Sequence, residues 1–183
     1  MSTPGRTVTV LPRINWRETT VLLVVAWLVP LLVHLLPWNG PRPLGVYLLP
    51  VFWTTFLVVY FRGALPGLLV GLVTPVINLL LIGLPAVAST IPMGLEVAGF
   101  VLVAALLLRR WPGFPLTAPL AWMGGKALAL AVLFFVPGLD HTGDLLQHLS
   151  HSAGNGLAGL AVLAAINVLL VAFYPKTDAW EKE

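Results

Sequence analysis

The sequence predicts an all-α integral membrane protein, a bundle of six transmembrane helices with the N- and C-termini in the cytoplasm. Hydrophobic residues make up 58% of the 183 residues and charged residues only 9%, against roughly 25% charged in an ordinary soluble domain. The mean hydropathy of +0.95 agrees with this composition. Together these observations argue against a disordered chain, a nucleic-acid-binding domain and a water-soluble enzyme.

Six apolar stretches account for the six predicted helices. A spanning helix needs about 20 mostly apolar residues to cross a hydrocarbon core about 30 Å thick, and its backbone polar groups must be paired internally. The stretches are 19–36, 44–61, 66–82, 86–108, 116–136 and about 145–174, separated by turns that contain glycine and proline. We therefore divide the chain into a cytoplasmic tail (1–18), a six-helix transmembrane domain (19–175) and a second cytoplasmic tail (176–183).

The positions of the basic residues predict the orientation. With the N-terminus in the cytoplasm, the opposite side of the membrane holds only Arg42, and Lys126 lies inside the fifth helix. The cytoplasmic side then holds Arg6, Arg13, Arg17, Arg62, Arg109, Arg110, Lys176 and Lys182. This distribution satisfies the positive-inside rule, so we expect the loops 37–43, 83–85 and 137–144 to lie outside the cell.

Two charged residues fall at the predicted depth of the hydrocarbon core. Glu96 is ten residues into the fourth stretch and Lys126 ten residues into the fifth, which places both about 15 Å deep at 1.5 Å per residue. Each charge alone costs at least about 2.5–3.5 kcal/mol at the bilayer centre. We therefore predict that the two side chains pair, either as the floor of a binding site for a polar substrate or as a structural ion pair.

Small and polar residues on the third helix form a second pattern. Gly63, Gly67 and Gly71 recur every four residues, a spacing that lets a neighbouring helix approach closely. The row indicates either internal helix packing or docking of a partner subunit. Asn78 lies near the outer end of the same helix, where it lines an outward-facing site or bonds a neighbouring backbone.

A polar cluster precedes the sixth helix. It consists of Asp140, His141, Asp144, His148, His151 and Asn155. Positions 144, 148, 151 and 155 share one helical face, which leaves three interpretations: a ligand-recognition surface, a solvated helix end, or a divalent-metal site. Because the chain has no cysteine and no tight metal-binding motif, we predict no metal and no cofactor. No catalytic constellation is evident either, so we do not expect an enzyme.

These features together predict a substrate site in the outward-facing half of the bundle. Polar side chains concentrate there, and the pair at 96 and 126 lies at the depth where such a cavity would end. Aromatic side chains from the first two helices would close its side, since ligand sites are mostly apolar with a few placed polar groups. The predicted substrate-binding residues are Asn78, Glu96, Lys126, His148, His151, Asn155, Trp38 and Trp53.

Two segments resemble the substrate-binding S components of energy-coupling factor (ECF) vitamin transporters. The stretch Pro92-Met93-Gly94-Leu95-Glu96, followed by the basic end Arg109-Arg110, is similar to their fourth helix, and Met123-Gly124-Gly125-Lys126 is similar to a Met-x-Gly-Arg element of their fifth. The resemblance implies a subunit of the prokaryotic cytoplasmic (inner) membrane that captures a vitamin or cofactor precursor from outside. It also implies partners: a transmembrane coupling subunit and two ATPase subunits.

Two other functions remain open on the sequence. The first is a small helical membrane scaffold or assembly subunit without a transported ligand, and the second is a solitary transporter driven by an ion gradient. The first helix contains Ala26 followed by Pro30, in place of the Ala-x-x-x-Ala docking motif of many S components. The coupling module is therefore shared, dedicated or absent, and the sequence alone does not distinguish these cases.

Overall fold

The computed structural model describes residues 16–40, 44–83, 87–135 and 154–175. Within these ranges the protein is helical and contains no strand, which confirms the all-α prediction. The seven helices are α1 (Trp16–Leu35), α2 (Leu44–Leu48), α3 (Pro50–Arg62), α4 (Ala64–Ile82), α5 (Val87–Arg110), α6 (Thr117–Phe135) and α7 (Leu157–Phe173).

Three of the described helices are long and apolar enough to cross a membrane. The candidate spans are Ala64–Leu81 in α4, Thr90–Arg110 in α5 and Thr117–Phe135 in α6. Shorter apolar segments occupy Thr20–Val33 of α1 and Leu157–Phe173 of α7. The three long helices indicate association with a membrane, whereas the count of six spans stays a prediction.

The second predicted helix, 44–61, is two helices that meet at Leu49. This residue has φ 52° and ψ 45°, the left-handed conformation, and α3 begins directly after it at Pro50. Proline lacks an N–H and disfavours helical geometry in the residue before it, which explains why the break falls here. The indole nitrogen of Trp53 donates a hydrogen bond to the Leu48 carbonyl at 3.2 Å, so the break leaves that carbonyl satisfied.

Helix α3 lies at the centre of the bundle, where it contacts α1, α4, α5, α6 and α7. Nine of its 13 residues are buried. Phe52 and Phe56 of this helix pack edge-on against Phe100 of α5, with ring centroids 5.4 and 6.3 Å apart. The short helix α2 instead packs against α1 and α7. The chain therefore enters the centre of the bundle only after Leu49.

The described arginines gather at one end of the bundle. Arg62 ends α3, Arg109 and Arg110 end α5, Arg17 lies in the first turn of α1, and all four are exposed. The antiparallel path of α3, α4 and α5 brings the first three together. We call this end the arginine end and the other end the opposite end. One-sided clustering of arginine agrees with the predicted topology, in which the arginine end faces the cytoplasm.

Candidate functional site

The predicted contact between Glu96 and Lys126 is confirmed. The Lys126 ammonium donates hydrogen bonds to both carboxylate oxygens of Glu96, each at 2.9 Å. The Lys126 side chain is 8% exposed and that of Glu96 is 15% exposed. Because the two charges are largely removed from solvent and are opposite in sign, the pair is a neutral unit that links α5 to α6.

A close approach of two glycines brings the charged side chains together. A Cβ atom on Gly125 would lie 2.6 Å from the Phe100 nitrogen and 2.7 Å from the Glu96 carbonyl oxygen. A Cβ on Gly99 would lie 3.0 Å from the Gly125 backbone. The backbones of α5 and α6 therefore touch next to the ion pair. This contact was not predicted, although a glycine immediately before Lys126 and another three residues after Glu96 indicate it.

Trp122 lies beside the ammonium group and was not predicted as a site residue. The Lys126 nitrogen is 4.7 Å from the centroid of its ring, a cation–π contact within the same helix. The ring is buried, and its Nε1 has no hydrogen-bond partner. Since Trp122 is one turn nearer the arginine end than Lys126, it bounds the ion pair on that side.

Asn78 is buried in the half of the bundle nearer the opposite end. Its side-chain oxygen has no hydrogen-bond partner, which is costly for a polar atom removed from water. It lies seven residues beyond Gly71 on the same face of α4, about 10 Å further along the helix. Because Gly71 is next to Val97 of α5, the antiparallel register of α4 and α5 places Asn78 level with the first turn of α5.

The glycine row of α4 has two different roles. Gly63 has φ 89°, and a Cβ added to it would have no neighbour within 4 Å, so this glycine forms the turn between α3 and α4 and makes no close contact. A Cβ on Gly67 would collide with Val59 of α3, and one on Gly71 with Val97 of α5 and Thr55 of α3. The contacts of Gly67 and Gly71 are therefore internal to the bundle.

The other predicted site residues lie toward the opposite end or outside the described residues. Trp38 is exposed and its ring contacts that of Tyr47, with centroids 5.8 Å apart. The indole nitrogen of Trp53 donates its hydrogen bond to the Leu48 carbonyl at the helix break. Asn155 is partly buried, and its Nδ2 has no hydrogen-bond partner. His148 and His151 lie outside the described residues, and within the described ranges no group of His, Cys, Asp or Glu side chains is placed to hold a metal ion.

Asn167 joins two helices at the arginine end, a role that sequence analysis missed. Its side-chain oxygen accepts a hydrogen bond from the Ala118 N–H at 3.1 Å, and its nitrogen donates to the Phe114 carbonyl at 3.0 Å. The residue thereby caps the N-terminus of α6 from α7. At the same end, the Tyr60 hydroxyl of α3 donates to the Tyr174 carbonyl at 2.7 Å. These hydrogen bonds fasten α3, α6 and α7 together.

Comparison with family models, curated proteins and solved structures finds no match for the chain. Its described residues form a helical, membrane-associated bundle that holds a buried Glu–Lys pair between two long apolar helices.

Proposed function

We propose that the protein is the substrate-capture subunit of an ATP-driven, ECF-type importer and that it binds a vitamin or cofactor precursor from the extracytoplasmic side. In this proposal the chain crosses the prokaryotic cytoplasmic membrane six times, with the arginine end inside. Substrate enters from the opposite end and reaches the Glu96–Lys126 pair. A transmembrane coupling subunit and ATPase subunits would supply the energy for release.

The observation that carries the proposal is the difference between the two halves of the bundle. At the arginine end, Tyr60 and Asn167 make hydrogen bonds between helices. In the half nearer the opposite end, Asn78 and Asn155 each have a buried side-chain amide atom without a hydrogen-bond partner. The other unpartnered buried atoms of the described residues are the Thr55 hydroxyl, near the depth of the ion pair, and the indole nitrogens of Trp27 and Trp122. Buried polar atoms without partners are rare in native proteins and need an explanation. A polar substrate that enters from the opposite end supplies one.

The buried ion pair supports the same function. A charged side chain within a membrane segment is expensive and is a functional-site candidate for that reason. A purely structural link between α5 and α6 is already provided by the contact of Gly99 with Gly125. The pair therefore has a role beyond helix packing, and its depth favours recognition of polar groups on a substrate.

The proposal is tested by ligand binding to the purified protein. Native mass spectrometry would show a co-purifying small molecule, and a thermal-shift screen against vitamins would find ligands that raise the melting temperature. For a ligand found in this way, Glu96→Gln should weaken binding by about 1.5–3 kcal/mol, the value of a hydrogen bond to a charged group. Tyr60→Phe at the arginine end is the control and should leave affinity unchanged.

Four results would count against the proposal. Equal affinity of wild type and Glu96→Gln would remove the ion pair from the site. A ligand bound only at the arginine end would reject capture from the extracytoplasmic side. Absence of any ligand, together with normal folding, would favour the scaffold function, and uptake by the chain alone without nucleotide would favour a gradient-driven transporter.

A further inference from the structure

The interior of the described bundle carries no net charge. Lys126 is the one buried charged residue within the described ranges, and its ammonium is neutralised by the Glu96 carboxylate. The described arginines are exposed. The remaining buried polar residues there are uncharged, namely Thr54, Thr55, Thr74, Asn78, Thr117 and Asn167. A bound molecule with a net charge would therefore meet no excess of opposite charge in this interior.

The ion pair also resists being separated by a charged molecule. Both oxygens of Glu96 are bonded to a single nitrogen at 2.9 Å. An anion that bound Lys126 in place of Glu96 would break both hydrogen bonds to the carboxylate, and a cation that bound Glu96 in place of Lys126 would break the same two bonds. Leaving one member of a buried pair without its partner is strongly unfavourable. A molecule that offers an acceptor to Lys126 and a donor to Glu96 at the same time strands neither group.

Asn78 adds an unused hydrogen-bond acceptor on the side from which substrate would come. Its side-chain oxygen is buried and without a partner, and the residue is 4% exposed. By helical register Asn78 is level with position 90 of α5. Position 90 is six residues before Glu96, so at 1.5 Å per residue Asn78 lies about 9 Å nearer the opposite end than Glu96. This separation along the bundle axis is within the length of a small molecule.

From these three observations we infer that the site takes a polar molecule without net charge, either a zwitterion or a neutral amide-like compound that has both donors and acceptors. The molecule donates a hydrogen bond to the Asn78 oxygen and meets Glu96 and Lys126 with a donor and an acceptor. This inference rests on the proposed function and narrows the class of substrate. It excludes simple anions and simple cations as preferred ligands.

Four aromatic probes of similar size test the inference. Benzamide is neutral, 4-(aminomethyl)benzoate is a zwitterion, benzoate is an anion and benzylammonium is a cation. Binding is measured by saturation-transfer NMR with the full chain in nanodiscs, and empty nanodiscs serve as the control for partitioning into lipid. We expect benzamide or the zwitterion to bind, and both singly charged probes to bind at least about tenfold more weakly.

Charge-altering variants make the test specific to the ion pair. Lys126→Met removes the ammonium that neutralises the Glu96 carboxylate and should turn the preference toward benzylammonium. Glu96→Gln removes the carboxylate that neutralises the Lys126 ammonium and should turn the preference toward benzoate. A residue with only a structural role would change the affinity for all four probes together and would not reverse their order.

A second pair of variants covers the case in which the charge variants do not fold. Asn78→Leu removes a buried atom that has no partner, so it should fold, and it should weaken binding of the preferred probe about three- to tenfold. Its control is Thr74→Val, one turn away on α4, because the Thr74 hydroxyl already donates to the Val70 carbonyl at 2.7 Å. This control should leave binding unchanged.

The outcomes separate the inference from the proposed function. Tighter binding of benzoate or benzylammonium to the wild type would overturn the neutral-ligand inference, and the capture function would stand. Failure of all four probes to bind would also overturn it, whereas a co-purifying vitamin-like molecule would still support capture. Equal effects of Asn78→Leu and Thr74→Val would remove Asn78 from the site.

Discussion

Breaking the buried ion pair from one side should destabilise the protein more than removing both charges. Lys126→Met leaves the Glu96 carboxylate without its ammonium, and loss of one partner of a buried pair costs about 3–5 kcal/mol. The same substitution loses the cation–π contact to Trp122, at 4.7 Å from the ring centroid, worth about 0.5–2 kcal/mol. With side chains 8% and 15% exposed, the protein does not enclose the pair completely, so we expect the lower part of the range, about 3 kcal/mol.

The double variant Glu96→Leu/Lys126→Met strands no charge and should cost about 1 kcal/mol or less. The single variants Glu96→Leu and Lys126→Met complete a double-mutant cycle, whose expected coupling energy is about 3 kcal/mol. The assay is unfolding by SDS in mixed micelles, followed by helical circular dichroism and by the fluorescence of the seven tryptophans. Additive effects of the two single substitutions would refute the reasoning, because they would mean that the charges do not stabilise each other.

Two further predictions depend on helix contacts, and a third depends on the proposed topology. Gly125→Ala should lower the free energy of unfolding by about 1–3 kcal/mol, because the new methyl forces α5 and α6 apart. Gly94→Ala is the control and should be neutral or stabilising, since its new methyl would meet its nearest neighbour at 3.8 Å. The same unfolding assay measures both variants, and equal effects would contradict the close helix contact. Asn167→Ala should cost about 1–3 kcal/mol, because the buried groups it bonds at the start of α6 lose their partner; an unchanged stability would argue against the cap. Introduced cysteines should react with impermeant reagents in intact cells at position 39 but not at position 111, and reaction at 111 alone would overturn the topology.

The contact of Glu96 with Lys126 was predictable because it depends on only two regular quantities. The lengths of the apolar stretches fix where each helix begins, and the constant rise per residue fixes the depth of each charge. Two opposite charges buried at the same depth are then expected to pair, because each one alone is unfavourable inside the membrane. Helical class and the one-sided placement of arginine follow from similarly simple rules of composition and pattern.

The break at Leu49 and the cap by Asn167 were not predicted, for different reasons. Pro50 indicates a break, but the residues around it are apolar, and hydropathy alone predicts one continuous helix over 44–61. Asn167 carries no local signal, because its partner Ala118 is 49 residues away and the contact exists only once α6 and α7 have packed. Replacing Asn167 would remove both of its hydrogen bonds to the start of α6, whereas Tyr60→Phe keeps the buried ring and loses only the hydroxyl. Tyr60→Phe is therefore the better control for ligand binding.

The helix break and the unpaired amide atoms of Asn78 and Asn155 belong to the same half of the bundle. Helix α3 occupies the centre only from Pro50 onward, and α2 turns aside against α1 and α7. The side chain of Leu49 fits against Gly159, where a Cβ would lie 2.5 Å from its Cγ. Movement of α2 away from α7 would therefore separate an apolar contact and leave the hydrogen bonds of Tyr60 and Asn167 at the arginine end intact. Within the described residues, the contact of Leu49 with Gly159 is apolar, whereas hydrogen bonds fasten the arginine end, and this arrangement suits the one-sided entry of substrate that we propose.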